Sequence, residues 1–208
     1  MSIISTPRSH RFPWYVKLFF WNQKRRYGDI LEPARLWGRT PKVFATLAML
    51  YGALDRRSSP IEPSLRTLIT VRVSQINWCP FCVDINSATA LKRGIGQEKL
   101  ADLANFMTSD LFTSRERAAL NYAEAITYTE RNPTDKEFDK LRRYFNDDAI
   151  IELTGLIAFQ NMSSKFNAAL DVKPQGFCAV APQPQKKVFE KGSMGRTKVA
   201  KKAKKAVE

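Results

Sequence analysis

Apolar side chains recur at intervals of three and four residues along most of the chain, which is the period of an α-helix. No stretch alternates apolar with polar residues, and none carries the turn residues of a β-hairpin. The sequence therefore predicts an all-α fold. The spaced positions are clearest in three stretches: Val43, Leu47, Leu50 and Leu54; Leu65, Leu68, Ile69, Val73 and Ile76; and Ala118, Leu120, Ala125 and Ile126.

Several of the predicted helices have recognisable ends. Thr40 stands before a proline, which is the pairing of an N-cap with a proline at the first helical position. Thr134 and Glu137 have the spacing of a capping box. Gly94 is a natural residue to follow a helix end, because glycine takes the left-handed conformation without strain. The helix predicted over residues 146–170 is the longest apolar one, and we expect it at the centre of the domain.

Residues 1–29 form a basic, aromatic segment ahead of the helical domain. Trp14, Leu18 and Trp21 would share one side of a short helix. One interpretation is a segment that packs its aromatic rings on the domain or on a partner subunit. Another is a helix in a membrane interface, because an aromatic face followed by Lys24–Arg26 suits an anionic lipid surface. A third is a mitochondrial presequence, since the basic start lacks acidic residues.

The net charge of +14 is concentrated at the two ends of the 208-residue chain. Residues 1–28 contain six Lys and Arg and no acidic residue, and residues 186–208 contain nine Lys and Arg against two Glu. The middle is therefore near neutral, which argues against a basic folded surface for nucleic acid. Residues 177–208 are predicted to be a disordered basic tail, whose contact with an anionic surface or nucleic acid would be non-specific.

Composition excludes several classes of protein. Three cysteines in a chain of this length do not make a disulfide scaffold. The N-terminus lacks the features of a secretory signal, and no stretch of about 18 apolar residues predicts a transmembrane helix. We therefore expect a cytoplasmic protein whose helical domain covers residues 30–176.

Cys79 and Cys82 are the most informative chemical feature of the sequence. Pro80 between them predicts that Cys79 lies at or just before a helix start and Cys82 in the first turn, on a shared face. A helix N-terminus stabilises a thiolate, and a reactive thiol beside a second thiol suits peroxide reduction through a sulfenic acid and then a disulfide. On spacing alone two alternatives stay open: a zinc site completed by Cys178 and His10, or a pair of small buried side chains.

The residues around this pair resemble a known family. The stretches LRTLITVRVSQINWCPFCVDINSATALKRG, LFTSRERAALNYAEAIT and FDKLRRYFNDDAIIELTGLIAFQNMSSKFNAAL are similar in type and order to the carboxymuconolactone decarboxylase and alkylhydroperoxidase D-like family. The resemblance covers residues 30–176. It implies an all-α alkylhydroperoxidase D-like bundle that assembles as a trimer or hexamer. We predict neither a cofactor nor a metal.

The resemblance also implies roles for individual residues. In the peroxidase branch the second cysteine attacks peroxide, so Cys82 would be the attacking thiol and Cys79 the resolving one. That branch has a histidine four residues after the second cysteine and a glutamate twelve before the first, where this chain has Asn86 and Thr67. An amide cannot shuttle a proton near pH 7, so the Glu–His relay is replaced. The decarboxylase activity is not expected either, because it also depends on histidine.

Three neighbours of the pair are candidates for support. Asp84 would act as a base or, more simply, stabilise the first turn against the helix dipole. Arg72 would lower a thiol pKa if it lay near the sulfurs, and would otherwise be an ion-pair partner. Trp78 would cover the site or fill the core.

The sequence thus favours a thiol-dependent peroxidase or disulfide oxidoreductase, acting on a small peroxide or disulfide and regenerated by an external thiol. The alternative is a non-enzymatic redox sensor or scaffold that has lost proton-relay catalysis. A third hypothesis is a different reaction on a small hydrophobic substrate inside the bundle.

Overall fold

The computed structural model describes residues 2–7 and 10–180, and these residues form helices without any strand. The predicted all-α class is therefore confirmed. The tail predicted over residues 177–208 lies outside the described residues from residue 181 onward. Within the described part of the chain the helices are α1 Trp14–Tyr27, α2 Glu32–Gly38, α3 Pro41–Leu54, α4 Pro63–Ile76, α5 Pro80–Lys92, α6 Gln97–Ala101, α7 Ser114–Thr127, α8 Asp135–Arg142 and α9 Asp147–Ala169, with a short 3₁₀ helix at Leu103–Asn105.

Helix ends mostly follow the local sequence. The capping box predicted for α8 is confirmed, since Thr134 and Glu137 each accept the other's backbone N–H. Gly94 follows α5 with a φ of 83°, as predicted. Thr40 and Pro41 take the predicted N-cap and first helical positions of α3, although the Thr40 hydroxyl donates to the carbonyl of Trp37 at 3.0 Å and makes no capping bond.

The most enclosed helix of the bundle is α4, which packs against α5, α7 and α9. Almost all of its residues from Leu65 to Gln75 are buried, on every side of the helix. By contrast α9 keeps one side at the surface, where Ile151 is 70% exposed. The longest apolar helix contacts α3, α4, α5, α7 and α8, as expected of a central helix, although α4 is the more completely buried of the two.

The N-terminal helix α1 packs one face on the domain and keeps the opposite face outside. Val16 and Phe20 are buried and pack with Phe44 of α3. Trp14, Leu18 and Trp21 share one side, as predicted, and their exposed fractions are 75%, 57% and 56%. The segment thus packs aromatic rings on the domain, but not the two tryptophan rings, and contact of the exposed side with a partner subunit or a membrane interface stays a prediction. Among the described residues no helix is both long and apolar enough to cross a bilayer.

Gly38 at the end of α2 allows α1 to approach closely. A Cβ atom at this position would lie 3.0 Å from Phe12, 3.1 Å from Phe20 and 3.2 Å from Val16. We expect Gly38→Ala to lower the free energy of unfolding by about 1–3 kcal/mol through overpacking. Thermal and urea unfolding of the purified variant measure this loss.

The matched control for that variant is Gly155→Ala in α9. The nearest atom to a Cβ there is Leu54 Cδ2 at 3.9 Å, so the new methyl group has room. Because alanine is the better helix former, this change should be neutral or stabilise by up to about 1 kcal/mol. Equal unfolding midpoints for the two variants would contradict the close packing of α1 on α2.

Candidate active site

The two cysteines lie at the junction of α4 and α5. Trp78 reverses the chain there with a φ of 56°, a left-handed conformation that is unfavourable for a bulky side chain. This turn brings the N–H of Cys79 to the carbonyl of Ser74 at 3.1 Å. Cys79 is then the N-cap of α5, and its Sγ accepts the N–H of Cys82 at 3.2 Å. The predicted placement of the pair at a helix start is confirmed.

Of the pair, Cys82 faces open space and Cys79 does not. A cavity of about 470 Å³ lies between α1, α2, α3, α5 and α9, and Cys82 forms part of its wall. Cys79 lies behind it, is 0% exposed and takes no part in the wall. A molecule in the cavity would therefore meet the sulfur of Cys82 first.

The enclosed thiol is the one that keeps its proton. A hydrogen bond to Cys82, together with burial and the charge of Cys82, raises the pKa of the Cys79 thiol far above its ordinary value. The sulfur that faces the cavity, Cys82 Sγ, lies in the first turn of α5, where a helix dipole stabilises negative charge.

Asn167 of α9 contacts the same sulfur. Its Nδ2 donates to Cys82 Sγ at 3.2 Å, while its Oδ1 is buried without a hydrogen-bond partner among the described residues. An amide donor of this kind stabilises a thiolate. Sequence reasoning missed this residue. The signal present was a recurrence of polar residues at helical spacing within an apolar helix: Gln160, Asn161, Ser164 and Asn167.

Ser74 links the cavity wall to the thiol turn. Its hydroxyl accepts Gln160 Nε2 at 2.9 Å and Asn86 Nδ2 at 3.4 Å, and donates to the carbonyl of Thr70. Asn86 and Gln160 both form part of the wall of the large cavity. The residue at the histidine position of the peroxidase branch is therefore a fixed amide beside the cavity, without a titrating group.

Thr67, at the glutamate position of that branch, forms its side-chain hydrogen bonds with residues other than the two cysteines. Its hydroxyl donates to the carbonyl of Pro63 at 2.8 Å and accepts from Arg93 at 2.8 Å. Thr67 and Asn86 still share the wall of a second cavity of about 30 Å³, which has room for a water molecule. The two positions of the relay thus remain neighbours, although neither carries an ionisable side chain.

Asp84 binds the C-terminal loop and does not form part of the cavity wall. Its carboxylate accepts three backbone N–H groups, from Gln175 at 2.9 Å, Gly176 at 2.8 Å and Cys178 at 2.7 Å. It is 3% exposed. The residue proposed as a base or a dipole partner thus holds the C-terminal loop against α5.

Arg72 and Trp78 also lie outside the wall of the large cavity. The guanidinium of Arg72 is buried and donates to Glu124 of α7 at 2.7 Å and to Gln75 at 3.1 Å. Its charge is therefore engaged by a carboxylate on another helix. Trp78 is half-buried, and its contribution is the turn that its backbone makes.

Residues 2–7 and 10–180 contain no set of ligands for the zinc site that the cysteine spacing left open, because no three His, Cys, Asp or Glu side chains come together there. His10 lies edge-on to the ring of Phe12. Cys178 is held by Asp84 through its backbone.

Comparison with known proteins places this site in a family. The model of the carboxymuconolactone decarboxylase family matches residues 41–125, which include both cysteines. The uncharacterized protein YnjA of Escherichia coli (strain K12) is 38% identical over 174 residues, or 84% of this chain and 96% of that protein. The chain belongs to the carboxymuconolactone decarboxylase family.

Solved structures show a likeness that covers most of the helical bundle of this chain. One from Ralstonia eutropha JMP134, described as an alkylhydroperoxidase AhpD core and an uncharacterized peroxidase-related protein, has a TM-score of 0.75 and 20% identity, covering 88% of this chain and 98% of that one. A cysteine-to-alanine variant of the debrominase Bmp8, solved with 2,3,4-tribromopyrrole, has a TM-score of 0.72 and 23% identity, covering 84% and 92%. At these identities the likeness shows the AhpD-like helical fold, and the trimer or hexamer stays a prediction.

Proposed function

We propose that this family member is a thiol-dependent peroxidase or disulfide oxidoreductase in which Cys82 attacks the substrate and Cys79 resolves the product. The observation that carries the proposal is the asymmetry of the pair. Cys82 forms part of the cavity wall and accepts a hydrogen bond from Asn167, whereas Cys79 lies behind it and keeps its proton. An attacking thiol needs access, and a resolving thiol needs only its neighbour.

The reaction balances with the two thiols and one external reductant. The Cys82 thiolate attacks the terminal oxygen of a hydroperoxide, the O–O bond breaks, and the products are a sulfenic acid on Cys82 and an alkoxide that takes a proton to become an alcohol. The Cys79 thiol loses its proton and attacks Cys82 Sγ, so that hydroxide leaves as water and a disulfide forms. Two equivalents of an external thiol then reduce the disulfide and become oxidised themselves.

The replaced relay predicts a slow enzyme. Loss of a general acid or base costs about 10²–10⁴-fold in rate. The helix N-terminus and the Asn167 amide remain beside Cys82, and they stabilise a thiolate without moving a proton. These two features support thiol–disulfide exchange. If the protein shows no turnover, the redox sensor is the expected role.

A second candidate uses the same thiols on a different electrophile. The structural likeness to the debrominase Bmp8 and the volume of the cavity favour reductive removal of a halogen from an aromatic ring. Cys82 would take the halogen from carbon, a proton would replace it on the ring, and Cys79 would displace halide as the disulfide forms. This reaction is a form of the third sequence hypothesis, a small hydrophobic substrate inside the bundle.

The test of the proposal is trapping of the first intermediate. In a Cys79→Ser variant we expect one equivalent of hydroperoxide to give a sulfenic acid on Cys82 that dimedone labels, because no resolving thiol can capture it. Mass spectrometry of the peptide that contains Cys82 measures the label.

The matched control is Cys82→Ser, in which Cys79 should stay unlabelled under the same conditions. Labelling of Cys79 instead of Cys82 would reverse the assigned roles. Absence of label on both residues would favour the non-enzymatic alternative.

A further inference from the structure

The outward face of α1 carries a line of large apolar side chains. Trp14, Leu18 and Trp21 are spaced by four and three residues, so they follow one another along one side of the helix. All three are more than half exposed. Apolar side chains that are exposed as a group and bordered by polar residues mark sites of interaction. We call these three residues the α1 stripe.

Basic side chains extend and border the α1 stripe. Arg25 follows Trp21 by four residues, and its guanidinium carbon lies 4.8 Å from the centroid of the indole ring. Lys17 and Lys24 lie along one flank of the stripe, and both are exposed. None of the ion pairs within residues 2–7 and 10–180 includes these three cations. Because α1 has no acidic residue, its outward face is positively charged.

The inner face of α1 fixes how the stripe can meet a partner. Val16 and Phe20 pack with Phe44 of α3, so this side of the helix is occupied by the domain. The helix has 14 residues and is therefore about 21 Å long, which is shorter than the hydrocarbon core of a bilayer at about 30 Å. A partner must therefore contact α1 from the side, along the stripe.

The surface of an anionic bilayer fits this face better than a second copy of the chain does. Indole rings favour the boundary between lipid headgroups and acyl chains, and Lys and Arg beside them are attracted to anionic lipids. In a symmetric dimer through the same stripe, Lys17, Lys24 and Arg25 would lie close to their own copies. Like charges at such an interface repel one another, whereas lipid phosphates attract them.

We propose that the α1 stripe docks the protein on the surface of an anionic lipid bilayer, with its two indole rings in the headgroup region and the three basic side chains on lipid phosphates. This interaction surface is independent of the chemistry of Cys82. The inner side of the same helix contributes Phe19 and Gln23 to the wall of the large cavity, so docking brings that cavity close to lipid.

Quenching of tryptophan fluorescence by brominated lipid tests the docking directly. The full-length protein is titrated with vesicles of equimolar phosphatidylcholine and phosphatidylserine whose acyl chains are either plain or brominated. We expect the brominated vesicles to quench the wild type, because its two exposed indoles approach the acyl chains. In Trp14→Ala/Trp21→Ala we expect the two kinds of vesicle to give the same fluorescence.

The same experiment separates the stripe from the basic end of the chain. Residues 186–208 contain nine Lys and Arg, and they can attract anionic vesicles without inserting an indole. Binding of the wild type to vesicles without quenching by bromine would therefore overturn the proposal. Absence of vesicle binding would overturn it as well.

The strength of vesicle binding gives a second readout for the indoles. In Trp14→Ala/Trp21→Ala the partition coefficient should fall by at least about tenfold, because binding of an interfacial helix scales with its buried apolar area. The matched control is Met49→Ala/Ile151→Ala, which removes two side chains of similar exposure outside α1, at 74% and 70%. It should stay within about twofold of the wild type. Equal losses would overturn the proposal, and if a variant does not fold, quenching of the wild type decides.

Replacing the three basic residues of the α1 face with glutamine tests the charge. A basic residue near an anionic surface strengthens binding by a factor of about five, so the triple variant should bind about 100-fold more weakly. The control Lys136→Gln/Lys140→Gln/Arg143→Gln removes the same charge from three exposed positions on and beside α8. It should lose less than about threefold. Equal losses would show that net charge alone drives binding and would overturn the assignment to α1.

Light scattering tests the other occupant, a second copy of the chain. We expect Trp14→Ala/Trp21→Ala to have the same molar mass as the wild type in solution, because the stripe faces lipid and not a subunit. A lower mass for the variant would assign the α1 stripe to a subunit interface and overturn the proposal.

Discussion

Replacing Cys82 with serine is expected to lower the rate of hydroperoxide reduction by on the order of 10³-fold or more, to the uncatalysed background. The serine hydroxyl keeps its proton at neutral pH, so the attacking anion is lost, and no sulfenic acid can form on oxygen. Cys79 does not substitute for it, because its thiol is 0% exposed and keeps its proton. The measurement is hydroperoxide consumption with a dithiol reductant, followed in parallel for the wild type and the variant.

Cys178→Ser is the matched control for this substitution. Cys178 is also a buried free thiol, but it takes no part in the cavity wall and is held by its backbone N–H on Asp84. Its replacement should leave the rate within about twofold of the wild type, since it removes a thiol that does not face the cavity. A Cys82→Ser variant that keeps a tenth of the wild-type rate, or a Cys178→Ser variant that loses it, would contradict the assignment of the attacking thiol.

The second large effect concerns stability. Glu124→Gln is expected to lower the free energy of unfolding by about 3 kcal/mol, because it leaves the buried guanidinium of Arg72 without its counter-charge. Arg72 is 5% exposed and reaches no other carboxylate within 4.0 Å among the described residues. Urea unfolding of the variant at neutral pH measures the loss.

Arg115→Gln provides the control on the same helix. Arg115 also pairs with a glutamate of another segment, Glu62, but the two side chains are 32% and 50% exposed. A solvent-exposed pair is worth about 0–1 kcal/mol, so this change should be small. Similar losses for the two variants would show that burial of the Arg72 pair does not determine its contribution.

Local features of the fold were open to prediction from sequence. The period of apolar residues gave the helices, and Pro80 with the cysteine spacing placed Cys79 as an N-cap and Cys82 in the first turn. Gly94 and the Thr134–Glu137 capping box were also read correctly. Each of these features depends on residues within one helical turn, where the geometry of the chain determines which residues are in contact.

The features that sequence reasoning missed depend on distant contacts. Asn167 is 85 positions from the Cys82 sulfur that it contacts, and Asp84 is 91 to 94 positions from the N–H groups that it binds. The face of α1 that packs on the domain could not be chosen from sequence either, because Trp14 and Val16 lie on opposite sides and both are apolar. Only the docked position of α1 on α2 and α3 distinguishes them.

The wall of the cavity combines residues from inside and outside the segment that the family model matches. The thiol turn and the residues that Ser74 organises on α4 and α5 fall within the family-matched residues 41–125, whereas α1, α2 and α9 fall outside them. Those outer helices supply Phe19, Trp37 and Phe159 to the wall. Substitutions in these outer helices can therefore change the shape of the cavity while leaving the thiol turn intact.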